Sequence, residues 1–186
     1  MSEDRSTKFP LQGLTDDGWS NEDEATATCA CGAVQMVIVR LSVILAIQCL
    51  ADMQPLKAPG LANTFVCHCS DCRKVSASMF ATNFTSLDTH TRFTRGEDNL
   101  TVFAQKKTTT TGKEMANSFC KTCGTLMFRA GEFAPGTRFM RGGIIDDHTL
   151  HDTMLKPGVE IFSEHRAKWV KPVDGAEQGQ GMGPFA

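Results

Sequence analysis

Excess charge, long apolar runs and helical periodicity are all scarce in this sequence, and each shortage excludes something. Nineteen Lys and Arg against 21 Asp and Glu leave a formal net charge of −2. That balance gives no global attraction for nucleic acid or an anionic membrane, and neither a basic cluster nor interleaved aromatics argue for nucleic acid locally. The most apolar stretch, 36–53, is interrupted by Arg40 and Gln48. Its longest uncharged apolar part, 41–47, falls far short of the roughly 20 residues a membrane-spanning helix needs. It reads as a buried strand or helix, with an interfacial segment as the alternative. The first residues, Met1-Ser2-Glu3-Asp4-Arg5-Ser6-Thr7-Lys8, lack the apolar core of a secretion signal, which sets the expectation of a reducing, cytoplasmic setting.

What is present is a globular balance: 186 residues, 41% hydrophobic and 22% charged, enough for one domain with a real core. Residues 1–27 are polar and without periodicity and read as a flexible leader, although Phe9, Leu11, Leu14 and Trp19 could lay it across the domain. Beyond it come many short β-type runs separated by Gly, Pro, Asp and Thr clusters: 34–39, 61–66, 79–84, 91–94, 100–104, 115–119, 126–129, 138–141 and 159–162. No long helical pattern lies between them, so the expected class is mainly β.

Eight cysteines are many for such a chain. In a reducing compartment they are more often metal ligands or reactive thiols than disulfides. Three of them, Cys67, Cys69 and Cys72, fall within six residues. Thiolate sulfur is a preferred ligand of Zn²⁺, and a tetrahedral ion held by three protein groups keeps a fourth position for water or a substrate atom. Cys29-Ala30-Cys31-Gly32 reads as a metal knuckle entering a strand, and Cys120-Lys121-Thr122-Cys123-Gly124 as half of a structural zinc site, a redox C-x-x-C being the alternative. The two isolated pairs most simply close one four-sulfur site and leave the triple open. Cys49 stands outside any ligand spacing and reads as a buried small apolar residue. His68, between two ligands, is expected to face away from them.

The set Cys29-x-Cys31-Gly32, Cys67-His68-Cys69-x-x-Cys72-Arg73-Lys74, Phe119-Cys120-x-x-Cys123-Gly124 and Gly143-x-x-Asp146-Asp147 resembles the glutathione-dependent formaldehyde-activating enzyme family, also called the CENP-V/GFA domain. The resemblance runs over residues 28–182, leaving 183–186 as a tail. Its last part, Pro157-Gly158-Val159-Glu160-Ile161-Phe162 with Lys168-Trp169-Val170, is similar to fungal members especially. The resemblance implies a β-tent fold of antiparallel sheets, two Zn²⁺ per chain, a structural zinc on Cys29, Cys31, Cys120 and Cys123, and a catalytic zinc on Cys67, Cys69 and Cys72. It implies a carbon–sulfur lyase acting on a glutathione adduct such as S-hydroxymethylglutathione or a related metabolic intermediate. Two other classes stand beside it: a non-catalytic carrier of glutathione or another small ligand, and a structural zinc protein that docks on a partner. Family members have a short hairpin between the first knuckle and the cysteine triple, whereas 40–59 forms an atypical insertion here. A retained intron would produce such a segment, and sequencing the transcript decides it.

Glutathione carries two carboxylates, so cations are sought near the open site. Arg73 and Lys74 adjoin the last ligand, and Arg141 precedes the Gly142-Gly143 turn. Solvated surface charge is the plainer reading of the first two. Asp146 could position a substrate amine or a water, with Asp147 beside it and His148 as proton carrier, against the plainer reading of a β-turn. The expected partner is a small-molecule thiol adduct, with neither nucleic acid nor membrane; the oligomeric state stays open.

Overall fold

The computed structural model describes residues 16–39 and 61–185. The expected leader up to residue 15 and the whole of the insertion at 40–59, with Cys49 in it, lie outside the described residues. Among the described residues, eleven strands and one short helix make up the regular structure, joined by 3₁₀ turns. Strands β1 (Glu24–Thr28), β2 (Gln35–Val39) and β5 (Thr91–Arg95) form a three-stranded antiparallel sheet in the order β1-β2-β5. The second sheet has eight strands, in the order β11-β10-β3-β4-β9-β8-β7-β6. Its members are β3 (Leu61–Cys67), β4 (Ala81–Leu87), β6 (Leu100–Gln105), β7 (Met115–Cys120), β8 (Leu126–Gly131), β9 (Thr137–Arg141), β10 (Val159–Ile161) and β11 (Glu177–Gln178).

The molecule is mainly β, as the short spaced runs imply, but its large sheet is mixed rather than antiparallel throughout. Strand β10 lies parallel to both β3 and β11. The segment 142–158, built of 3₁₀ turns, carries the chain from β9 across to the far side of β3, and a crossover of a dozen or more residues is what parallel pairing requires. Strand β1 is a second departure. It lies within the segment read as leader, and Ala25 and Ala27 are fully buried in the core. Its sequence, Glu-Ala-Thr-Ala-Thr, carries alternation in alanine and threonine only, too weak an apolar signal to register as a strand.

Alternation along the central strands produces two cores. Phe84 on β4 lies opposite Met140 on β9, which lies opposite Phe128 on β8. With Val34, Met36 and Ile38 these residues fill the space between the sheets. The neighbouring positions point the other way: Asn83 opposite Arg141, and Thr85 and Arg129 both opposite Phe139. That face carries the smaller cluster of Phe65, Cys67, Cys72, Ala81 and Ile161. No helix among the described residues is long and apolar enough to cross a membrane.

Candidate metal centres and an adjoining cavity

All seven described cysteines are free thiols, and they gather into two groups in which the sulfurs lie within 4.8 Å of one another. The first is Cys29, Cys31, Cys120 and Cys123. Each pair sits on a tight turn. At the first, the Gly32 N–H donates to the Cys29 carbonyl (2.9 Å) and the Cys29 N–H to the Val34 carbonyl (3.0 Å). At the second, the Gly124 N–H donates to Cys120 (2.9 Å) and the Cys120 N–H to Thr125 (2.9 Å). Both glycines are left-handed, with φ of 77° and 74°, a conformation that costs a side-chain-bearing residue energy. The turns bring Cys29 and Cys31 sulfurs to 3.6 Å and those of Cys31 and Cys120 to 3.8 Å. Zn–S bonds of about 2.3 Å in a tetrahedron put sulfurs about 3.8 Å apart, so the donor set fits such an ion.

Electrostatics in this group are uneven. Burial pushes the Cys29 thiol up to about 12. Cys123, although its position is partly desolvated, is held down at about 6 by hydrogen bonds from Thr125 and Cys31. A metal ion bound by this set would displace the thiol protons into solvent.

The second group is Cys67, Cys69 and Cys72. Strand β3 ends at Cys67, and helix α1 (Ser70–Ser76) begins three residues later. Cys69 occupies the cap position, its sulfur accepting from the Cys72 N–H at 3.4 Å. The chain reversal from strand into helix folds three sulfurs toward one point. Cys72 is held well below the usual thiol range by hydrogen bonds from Cys67 and Cys69, with Arg141 and Arg129 adding positive charge. Burial and those same neighbours push Cys67 strongly upward, its hydrogen bonds to Cys69 and Cys72 being the leading cause. His68 is fully buried and faces away from the group as expected: its Nε2 lies 2.8 Å from Glu160 Oε2.

A cavity of about 440 Å³ opens over the second group, lined by all three cysteines and by residues from both halves of the chain. Among the described residues that line it, the one buried cation is Arg129, whose Nη1 donates to Cys72 Sγ at 3.3 Å while its Nε has no hydrogen-bond partner. The sequence reading missed this residue. The available signal was a charge set inside the apolar run Leu126-Met127-Phe128-Arg129, since a buried ionisable group without a structural partner marks a site candidate.

The cations and the acid named from sequence sit elsewhere. Arg73 is half-buried behind the cavity wall, donating to the His165 carbonyl (3.4 Å) and to Met79 Sδ (3.2 Å). Lys74 is exposed. Neither is among the lining residues described. Successive side chains of α1 fan out around its axis, so residues next to Cys72 in sequence leave the helix in other directions. Arg141 is buried under the group, hydrogen-bonded through Nη1 to Asn83 Oδ1, with Nε and Nη2 unpartnered. Burial lowers its pKa and the Cys72 thiolate opposes that shift. Asp146 is buried against β1, accepting from Thr28 Oγ1 at 2.5 Å, away from the cavity. It fastens the 3₁₀ segment to the small sheet. Asp147 accepts from Ser20 and Thr149 in the same region.

A family model described as glutathione-dependent formaldehyde-activating enzyme matches residues 24–165. Among solved structures, the crystal structure of a Rhodobacter sphaeroides protein is similar at 23% identity with a TM-score of 0.44, covering 82% of this chain and 97% of its own. No functionally curated protein shows significant similarity to the chain.

Proposed function

The chain belongs to the glutathione-dependent formaldehyde-activating enzyme family, and from that premise we propose that it is a zinc-dependent carbon–sulfur lyase acting on a thiol adduct. One observation carries the reading: three sulfurs share the floor of a cavity with a buried arginine, while a separate four-sulfur group is complete in itself. Cys29, Cys31, Cys120 and Cys123 would hold a structural zinc, and Cys67, Cys69 and Cys72 a zinc with one position left for substrate. An ion held by these three residues would supply Lewis acidity, which favours the thiolate form of an incoming or departing sulfur. The cytoplasm suits such a protein, since its exposed thiol stays reduced there.

The chain's own residues divide the remaining work. Three thiolates offset the ion's two positive charges and leave an excess of one negative. Arg129 and Arg141 lie under them and reverse that sign, which favours an anionic sulfur at the site. Arg129, which lines the cavity and still has hydrogen-bonding capacity at Nε, would hold the oxygen of the adduct as it becomes a carbonyl. In the lyase direction the carbon–sulfur bond breaks with its electron pair leaving on sulfur, the hydroxyl oxygen forms the carbonyl, and its proton passes to Asp71 or His165 on the cavity wall. The reverse sequence joins thiol to aldehyde. The hydroxymethyl adduct of glutathione is the first substrate to assay.

The test separates the two groups. Cys69→Ser should leave the fold intact yet abolish product formation and the thiol-dependent absorption change of cobalt-substituted protein, whereas Cys120→Ser should destabilise the domain outright. Equal loss of folding in both variants would defeat the distinction. A carrier without turnover would show the absorption change but no product.

A further inference from the structure

The wall of the cavity above Cys67, Cys69 and Cys72 is apolar in a way the charged tripeptide glutathione does not match. Five phenylalanines line it, Phe65, Phe133, Phe139, Phe162 and Phe185, delivered by β3, the β8–β9 turn, β9, the residue after β10 and the end of the described chain. Phe65 meets Phe139 and Phe185 edge-on, with ring centroids 6.3 and 5.4 Å away. Four of the five are only half-buried, the rest of each ring facing the cavity. Apolar surface left open beside a reactive group is the usual character of a small-molecule site.

Phe162 carries a second, independent signal. Its φ is 54°, left-handed, where a bulky side chain is an outlier. The Phe162 N–H donates to the Gly181 carbonyl at 2.7 Å, and the ring stacks on His165. A glycine would take this backbone shape without strain. Strain of this kind persists where the presented side chain is needed, and here it presents a ring to the cavity.

The polar part of the wall points the same way. Thr108 to Thr111 supply neutral hydroxyls, and no lysine lines the cavity among the described residues. Arg129 is committed through Nη1 to Cys72. Asp71, held by Thr108 (2.6 Å) and Gln105 (3.0 Å), adds negative charge. Asp71 could pair with the ammonium of glutathione, but its two carboxylates would share one buried cation, and a carboxylate desolvated without a partner is far more costly than an apolar group buried in the same place.

We propose that the thiol adduct handled at this site carries an aromatic or bulky aliphatic group, which the phenylalanine wall receives while the sulfur sits over the three cysteines. This rests on the thiol-adduct reading above and narrows its substrate. In zinc-loaded or cobalt-substituted protein, benzyl mercaptan should bind at least about tenfold more tightly than glutathione, as read from the absorption titration and from thermal shift. Phe162→Gly relieves the backbone but gives up the ring's packing on the Phe65, Cys67 and Ile161 cluster, so circular dichroism checks that the variant is folded; it should weaken benzyl mercaptan about tenfold and glutathione far less. Glutathione binding as tightly as benzyl mercaptan, or F162G weakening both thiols alike or neither, overturns the proposal while thiol binding at the cysteines stands. No absorption response to any thiol overturns the metal-site reading and this inference together.

Discussion

Arg129 is the residue on which the chemistry of the three-cysteine group turns. Its guanidinium is buried, touches Cys72 Sγ at 3.3 Å and retains one unpartnered N–H donor. Arg129→Met should reduce turnover roughly 100-fold with the fold retained, the scale of losing one positioned donor to a developing oxyanion. Arg129→Lys should recover part of the loss, because it restores charge without the planar fork. Steady-state rates for the two variants, with circular dichroism as the control for folding, decide this. At the other end of the molecule, Asp146 is a stability residue. Burial raises its folded pKa above the unfolded value. The folded state therefore binds more protons across that window, and stability falls as pH rises through it. Asp146→Asn, which still offers an oxygen to Thr28, should raise Tm at pH 7 by about 2–4 °C, the shift expected for about 1 kcal/mol in a domain of this size. The gain should shrink as pH falls through the raised folded-state pKa, where the wild-type carboxyl takes up its proton; thermal melts across pH measure both.

Among the elements, the short β10 strand governs the cysteine loop from behind. Its Glu160 carboxylate accepts from Arg166 Nη1 (2.8 Å) and the Val173 N–H, and pairs with His68 Nε2. The Ile161 carbonyl accepts the His68 N–H at 3.1 Å. One buried acid thus ties the segment between Cys67 and Cys69 to the chain's last 20 or so residues, the arrangement by which outer contacts orient metal ligands. Glu160→Gln should speed metal loss from the three-cysteine site by about 10- to 100-fold and leave the four-cysteine site untouched. Chelator-driven release followed with a colorimetric zinc indicator would resolve the two phases. A single phase with unchanged rate would show that β10 does not hold the loop. Helix α1 and strand β3 were legible in part: the run 61–66 reads as a strand, but Ser70–Ser76 is too short for a helical period to register, and only the structure shows the seven-residue helix with Cys69 in its cap position.

For the whole molecule, the four-cysteine group is a clasp between the sheets. Cys29 and Cys31 lie on the β1–β2 turn of the small sheet, and Cys120 and Cys123 on the β7–β8 turn of the large one. A metal there closes a loop of about ninety residues in sequence, and binding free energy of this kind is folding free energy. Strong chelation should therefore empty the three-cysteine site first with the fold intact, and then unfold the domain as the clasp empties. Parallel records of zinc release and near-ultraviolet circular dichroism would show the sequence of events. Release should also quicken on acidification, since the bound sulfurs must be thiolates and the buried Cys29 takes its proton back readily. The sequence by itself determined the two ligand groups, their partition and the mainly β class, because C-x-C, C-x-x-C and short spaced apolar runs act through neighbouring residues. Only the tertiary structure decided what surrounds the open site. Arg129 reaches Cys72 across 57 positions, and the phenylalanine wall converges from five separate segments. Both depend on strand register and on the crossover to β10, which set distances between residues that the linear order leaves far apart.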